Sequence, residues 1–142
     1  MNWKLRDRVL SIGPRCLVMG IVNVTPDSFS DGGRFLNVDA AVAHAMELAR
    51  QGADILDIGG ESTRPGSEPV SLNEELSRVL AVIEKVVPQT DAAISVDTSK
   101  AEVARQCLKA GPLIINDVTG LTGDPHMVDV DRDFVAGVVV MH

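Results

Sequence analysis

Short apolar, β-branched runs recur along this chain, each followed by a polar loop and then by a segment with helical spacing. The runs are Leu17–Asn23, Ala53–Ile58, Ala93–Asp97, Leu113–Asn116 and Gly137–His142. Strands that read as continuously apolar, without alternation, are buried on both faces, and such strands separated by helices make a parallel sheet. No Gly-x-Gly-x-x-Gly follows the first run, which weighs against a dinucleotide-binding fold. Polar residues instead stand at the strand ends: Asn23, Asp57, Asp97, Asn116 and His142. In a (β/α)8 TIM barrel the strand C-termini converge on one mouth, and sites are built there. Five βα steps are too few to close such a barrel. The reading is therefore an α/β chain that supplies an N-terminal hairpin and about five βα steps of an incomplete barrel, with residues 1–142 forming the N-terminal part of a single domain.

The intervening segments fit this scheme. A hairpin is expected over residues 3–16, with Gly13-Pro14-Arg15 as a turn signal. A loop follows the first strand to Val38, and Asp39 would cap a helix over Ala40–Gln51 that stops at Gly52. Ser71 or Asn73 would cap a helix carrying Leu76, Val79, Leu80, Ile83 and Val87 on one face and ending at Pro88. Thr98 and Ser99 would cap another running to Ala110, and a short one is expected near Pro125–Phe134. The methionines read as core residues.

At 142 residues the chain can bury a real core. A net charge of −7 argues against nucleic acid, whose binding rests on clustered Lys and Arg. The N-terminal segment is charged rather than apolar, unlike a secretory signal, and no apolar run reaches the length of a membrane span. Cys16 and Cys107 have no metal spacing and read as free thiols of a cytoplasmic protein.

Asp97 and Asn116 come from neighbouring strands. A carboxylate beside an amide suits a flat heterocycle with donors and acceptors on its edge, although both residues could instead satisfy backbone groups. Asn23 offers an amide oxygen to a hard cation; Mg²⁺ needs only one or two protein ligands and completes its shell with water and phosphate. Thr63 and Arg64 could bind an anion from a Gly- and Pro-punctuated loop, or simply be solvated there. Asp27, Asp31 and Glu61 either bind or cap their own loops. Asp57 reads as structural, His44 as a surface or packing residue, and His126 as local. No Gly-x-Ser-x-Gly elbow supports a hydrolase.

Two long stretches resemble a known family. Asn23-Val24-Thr25-Pro26-Asp27-Ser28-Phe29-Ser30-Asp31-Gly32-Gly33 is similar to the first signature of the dihydropteroate synthases, and Asp57-Ile58-Gly59-Gly60-Glu61-Ser62-Thr63-Arg64-Pro65-Gly66 to the second. Ser95-Val96-Asp97-Thr98, Ile115-Asn116-Asp117-Val118-Thr119-Gly120 and Val140-Met141-His142 resemble the family's next three strand ends, in order. The resemblance implies a transferase of folate biosynthesis and a target of sulfonamides. That enzyme condenses 7,8-dihydropterin-6-ylmethyl diphosphate with 4-aminobenzoate and releases diphosphate. It implies Mg²⁺ on Asn23, diphosphate at Thr63, and the pterin at Asp97 and Asn116. The loops bearing Phe29, Asp31 and Arg64 would shape the 4-aminobenzoate pocket, with Thr25 to Gly33 a lid whose Gly pair permits closing. Asp31, Arg64 and Asp97 are the residues expected to act in the reaction.

The family's site also uses an Asp, a Lys and an Arg-x-His group from later strands, which are not in this sequence. The fragment alone is therefore expected to be inactive, with the edge of its fifth strand open. A homodimer is expected only of the full-length enzyme. Two other readings share the barrel: a pterin-binding methyltransferase, which would not be expected to carry these two loops, and a non-catalytic half-barrel that assembles with another chain.

Overall fold

A computed structural model describes residues 1–24, 33–62 and 65–141, without the side chains of residues 33–37. Phe29, Asp31, Thr63, Arg64 and His142, with the expected lid before Gly33, lie outside the described residues. Two strands, β1 (Asn2–Lys4) and β2 (Val9–Ser11), form an antiparallel hairpin. Its turn falls at residues 5–8, closed by the Leu5 N–H on the Arg8 carbonyl, and not at Gly13-Pro14. The main sheet follows: β3 (Met19–Asn23), β4 (Ile55–Gly59), β5 (Ala93–Asp97), β6 (Ile114–Asp117) and β7 (Gly137–Val140), all parallel and in chain order. Helices α1 (Gly33–Arg50), α2 (Leu72–Val86), α3 (Ala101–Lys109) and α4 (Met127–Phe134) connect them. Among the described residues no helix is long and apolar enough to cross a membrane.

Alternate strand residues face the helices. Val22, Leu56, Ile58, Ile94 and Val96 pack with Ala45 of α1, with Val79, Val82, Ile83 and Val86 of α2, and with Val103 and Cys107 of α3. Ile115 joins Ala104, Leu108, Met127 and Val130 of α3 and α4. Among the described residues the opposite face is covered by the hairpin. There Leu5, with Trp3 and Leu10 of the hairpin, packs on Ile55, Ala93, Ile114, Met19 and Val139. Gly137 makes this possible: a Cβ at that position would sit 2.5 Å from Leu5 Cδ2 and 2.8 Å from Trp3 Cζ2. The hairpin thus stoppers the N-terminal end of the sheet's second face and leaves the C-terminal end for polar groups.

Several expectations change. Helix α1 starts at Gly33, so Asp39 lies inside it and bonds Lys85 Nζ at 2.7 Å instead of capping. No proline interrupts residues 33–39, so nothing stops the helix from propagating back. Ser71 is the cap of α2, accepting from the Glu74 N–H. Helix α3 is capped from outside: Asp124 Oδ2 accepts the Ala101 N–H, while Thr98 Oγ1 accepts the Lys100 N–H, one residue before the helix. Strand β3 is buried on its helix face alone, with Ile21 half exposed on the other. Met127 is core, but Met1 and Met141 are exposed. Val140, on the strand that pairs only with β6 among the described residues, is exposed as well.

Candidate active site at the strand ends

The ladder register aligns the polar residues in two rows. Asn23, Gly59, Asp97, Asn116 and Val139 pair in succession across the sheet; one layer below come Ile21, Asp57, Ser95, Ile114 and Gly137. Asp97 and Asn116 are direct partners, as their sequence positions suggested. Asn23 is exposed at the end of β3. Its neighbour in the row is Gly59, which has no side chain to crowd it. A Cβ at Gly59 would also lie 3.1 Å from Asp97 Cβ, so the glycine gives the Asp97 side chain its room.

Asp57 is not at a strand end. Strand β4 continues through Gly59, which moves Asp57 into the lower layer, where it is 2 % exposed. Its Oδ2 accepts a hydrogen bond of 2.9 Å from Asn116 Nδ2, across the intervening strand β5. Its Oδ1 and the Oγ of Ser95 are buried with no hydrogen-bond partner among the described residues. Burial pushes the Asp97 carboxyl up to about 7, helped by the negative charges of Asp57, Glu75, Asp117 and Glu61. The site is thus a cluster of acceptors that favours a ligand rich in N–H donors or carrying positive charge.

A second cluster braces the loops around it. Lys100 Nζ lies 2.8 Å from Glu61 Oε2 and 3.5 Å from Glu75 Oε1. Glu75 is buried on α2 and accepts from Thr98 Oγ1 at 2.9 Å. Glu61 Oε2 also accepts the Val70 N–H, so this residue closes its own loop, one of the two roles open to it. Lys100 holds the Glu61 carboxyl below its ordinary value, whereas burial raises that of Glu75. The sequence reading missed this cluster. The signal was present: Glu75 stands four residues before Val79, on the apolar stripe of α2. His44 and His126 take no part; His44 Nε2 meets the Ile21 carbonyl and the His126 N–H meets Asp124.

Among the described residues no group of three His, Cys, Asp or Glu could hold a metal. The Asn23 amide is nevertheless an exposed hard oxygen donor whose ladder partner, Gly59, has no side chain, which suits a cation that takes one protein ligand and completes its shell with phosphate and water.

The family model described as "Pterin binding enzyme" matches residues 19–142. The dihydropteroate synthase of Bacillus subtilis (strain 168) is 53% identical over 137 residues, covering 96% of this chain and 48% of that protein. Among solved structures, the Xanthomonas albilineans dihydropteroate synthase with 4-aminobenzoic acid superposes with a TM-score of 0.91 at 53% identity, covering 99% of this chain and 51% of that one. The same enzyme in complex with 7,8-dihydropteroate gives 0.86 at 49% identity, over 100% and 51%. The Yersinia pestis dihydropteroate synthase with a sulfonamide drug gives 0.87 at 45% identity, again over 100% and 51%. The chain thus spans about half the length of these relatives. Its hairpin and five parallel strands are the N-terminal part of a (β/α)8 barrel, as the alternation predicted.

Proposed function

Because the chain belongs to the family of pterin binding enzymes, we propose that it is the N-terminal part of a dihydropteroate synthase that joins 4-aminobenzoate to 7,8-dihydropterin-6-ylmethyl diphosphate. The observation that carries the reading is the pairing of Asp97 with Asn116 at one register, over the buried Asp57. The pterin ring presents a 2-amino group next to a ring N–H, and the Asp97 carboxylate and the Asn116 carbonyl are the acceptors for such an edge. In the reaction the C–O bond from the ring's methylene carbon to the diphosphate breaks, and the amine nitrogen of 4-aminobenzoate forms the new C–N bond and sheds a proton. The ring gains positive charge as the diphosphate leaves, and the negative cluster around Asp97 stabilises it.

Asn23 would hold Mg²⁺, which when bound neutralises charge on the departing diphosphate. Thr63 is assigned to the diphosphate, Arg64 to the diphosphate and the 4-aminobenzoate pocket, and Phe29 and Asp31 to that same pocket. These four assignments rest on the sequence motifs alone. A cytoplasmic location is in keeping with Cys16 and Cys107 both being free. The test is product formation by the protein in its native length, with Mg²⁺ and both substrates. Release of diphosphate with 7,8-dihydropteroate is expected, and its absence would overturn the reading. The 142-residue chain alone should form no product, since the cations described near the mouth, Lys100 and Arg78, are already paired, Lys100 with Glu61 and Glu75 and Arg78 with Glu74.

A further inference from the structure

We propose that Asp57 is a positioning residue: it fixes the side-chain amide of Asn116 with its oxygen turned away from Asp57, and so makes the site select a ring edge of two adjacent N–H donors. The inference deepens the pterin reading and rests on it. An Asn side chain can present either its NH₂ or its oxygen to a ligand, and the two are nearly isosteric. Here the choice is made by the layer below. Asp57 Oδ2 accepts from Asn116 Nδ2 at 2.9 Å, and among the described residues no other hydrogen bond holds that side chain. One N–H of the amide is held by Asp57, which fixes the amide's orientation, so its oxygen is turned away from Asp57 and is the acceptor Asn116 offers elsewhere.

The surroundings of Asp57 point to the same role. The residue is almost wholly buried, a costly position for a carboxyl. It caps no loop and pairs with no cation among the described residues. Its second oxygen has no hydrogen-bond partner there, and its single bond reaches across β5 to Asn116. A residue serving stability alone would be better apolar in that layer, beside Ile21 and Ile114. Asn116 is in turn the ladder partner of Asp97, so the fixed amide oxygen and the Asp97 carboxylate form adjacent acceptors. A ring with a carbonyl in place of the 2-amino group would set oxygen against oxygen there.

The experiment compares 6-hydroxymethylpterin with 6-hydroxymethyllumazine, its 2-oxo counterpart, by calorimetric titration of the native-length protein. Wild type, D57N, N116A and the double variant D57N/N116A are measured. Wild type should prefer the pterin, and D57N should weaken pterin binding about tenfold or more while shrinking the preference. In the N116A background, D57N should change nothing further, because its effect passes through Asn116. An unchanged preference in D57N, or an equal loss in both backgrounds, would overturn the inference while leaving the pterin reading intact. A wild type that binds neither ring would overturn both. Should D57N fail to fold, the wild-type Asn116 side-chain amide is read directly by NMR. Slow exchange of one hydrogen-bonded N–H supports the inference, and free, rapidly exchanging NH₂ protons overturn it.

Discussion

Replacing Asp97 by asparagine should stabilise the fold at neutral pH while weakening ligand binding. Asp97 is largely withdrawn from water and shares its surroundings with Asp57, Glu75, Asp117 and Glu61, so its carboxyl stands at about 7 when folded. In the unfolded chain it returns to the ordinary 3.8. Between those values the folded protein keeps a proton that the unfolded chain has released. The Asp97 contribution is therefore intact below about pH 4 and lost as pH rises towards 7. At about 1.36 kcal/mol per tenfold, that gap corresponds to about 4 kcal/mol, which water at the open mouth screens to about 2 kcal/mol. The amide that D97N introduces cannot ionise. Urea unfolding followed by circular dichroism at pH 4, 6, 7 and 8 should show D97N matching wild type at the lowest pH and exceeding it by about 2 kcal/mol at pH 8. Parallel curves for the two proteins, or a variant less stable at pH 8, would show that Asp97 does not hold a raised carboxyl in the folded state. The same variant should bind the pterin more weakly than wild type, because a carboxylate acceptor has become an amide.

Lys100→Met should destabilise the protein by about 3 kcal/mol at pH 7, because the buried Glu75 loses its compensating cation. The loss should shrink as pH falls, since Glu75 takes up a proton above the ordinary carboxyl range, and denaturant unfolding at two pH values checks both points. Val135→Gly should raise stability by about 1 kcal/mol in the same assay, because this exposed β-branched residue sits at φ 51° at the end of α4, where glycine fits without strain.

The sheet was legible from the chain because each parallel strand is a short, mostly apolar run between helical segments, even where a buried polar residue such as Asp57 or Ser95 interrupts it. Asp97 and Asn116 were legible for a related reason: both lie in the last rungs of the ladder before the backbone leaves the sheet. Asp57 was misplaced by one layer. Gly59-Gly60 reads as a turn, yet Gly59 still pairs with Asn23 and Asp97, so the strand runs two residues beyond Asp57. The start of α1 was misread because Asp39 has a capping side chain, but a cap residue is equally at home inside a helix when it meets a lysine such as Lys85. The hairpin's role as a stopper had no local signature at all. It depends on Trp3 and Leu5 meeting a glycine more than a hundred residues later, a contact that no periodicity announces. Phe29, Asp31, Thr63 and Arg64 were legible as parts of motifs, and their assignments still rest there.

The central claim is that the Asp97–Asn116 pair reads the pterin edge. It is tested most directly by titrating 6-hydroxymethyl-7,8-dihydropterin into the native-length protein and its N116A variant. Saturable one-to-one binding by wild type, weakened at least about tenfold in a folded N116A, is the expected result. Equal affinity in the two proteins would contradict the account.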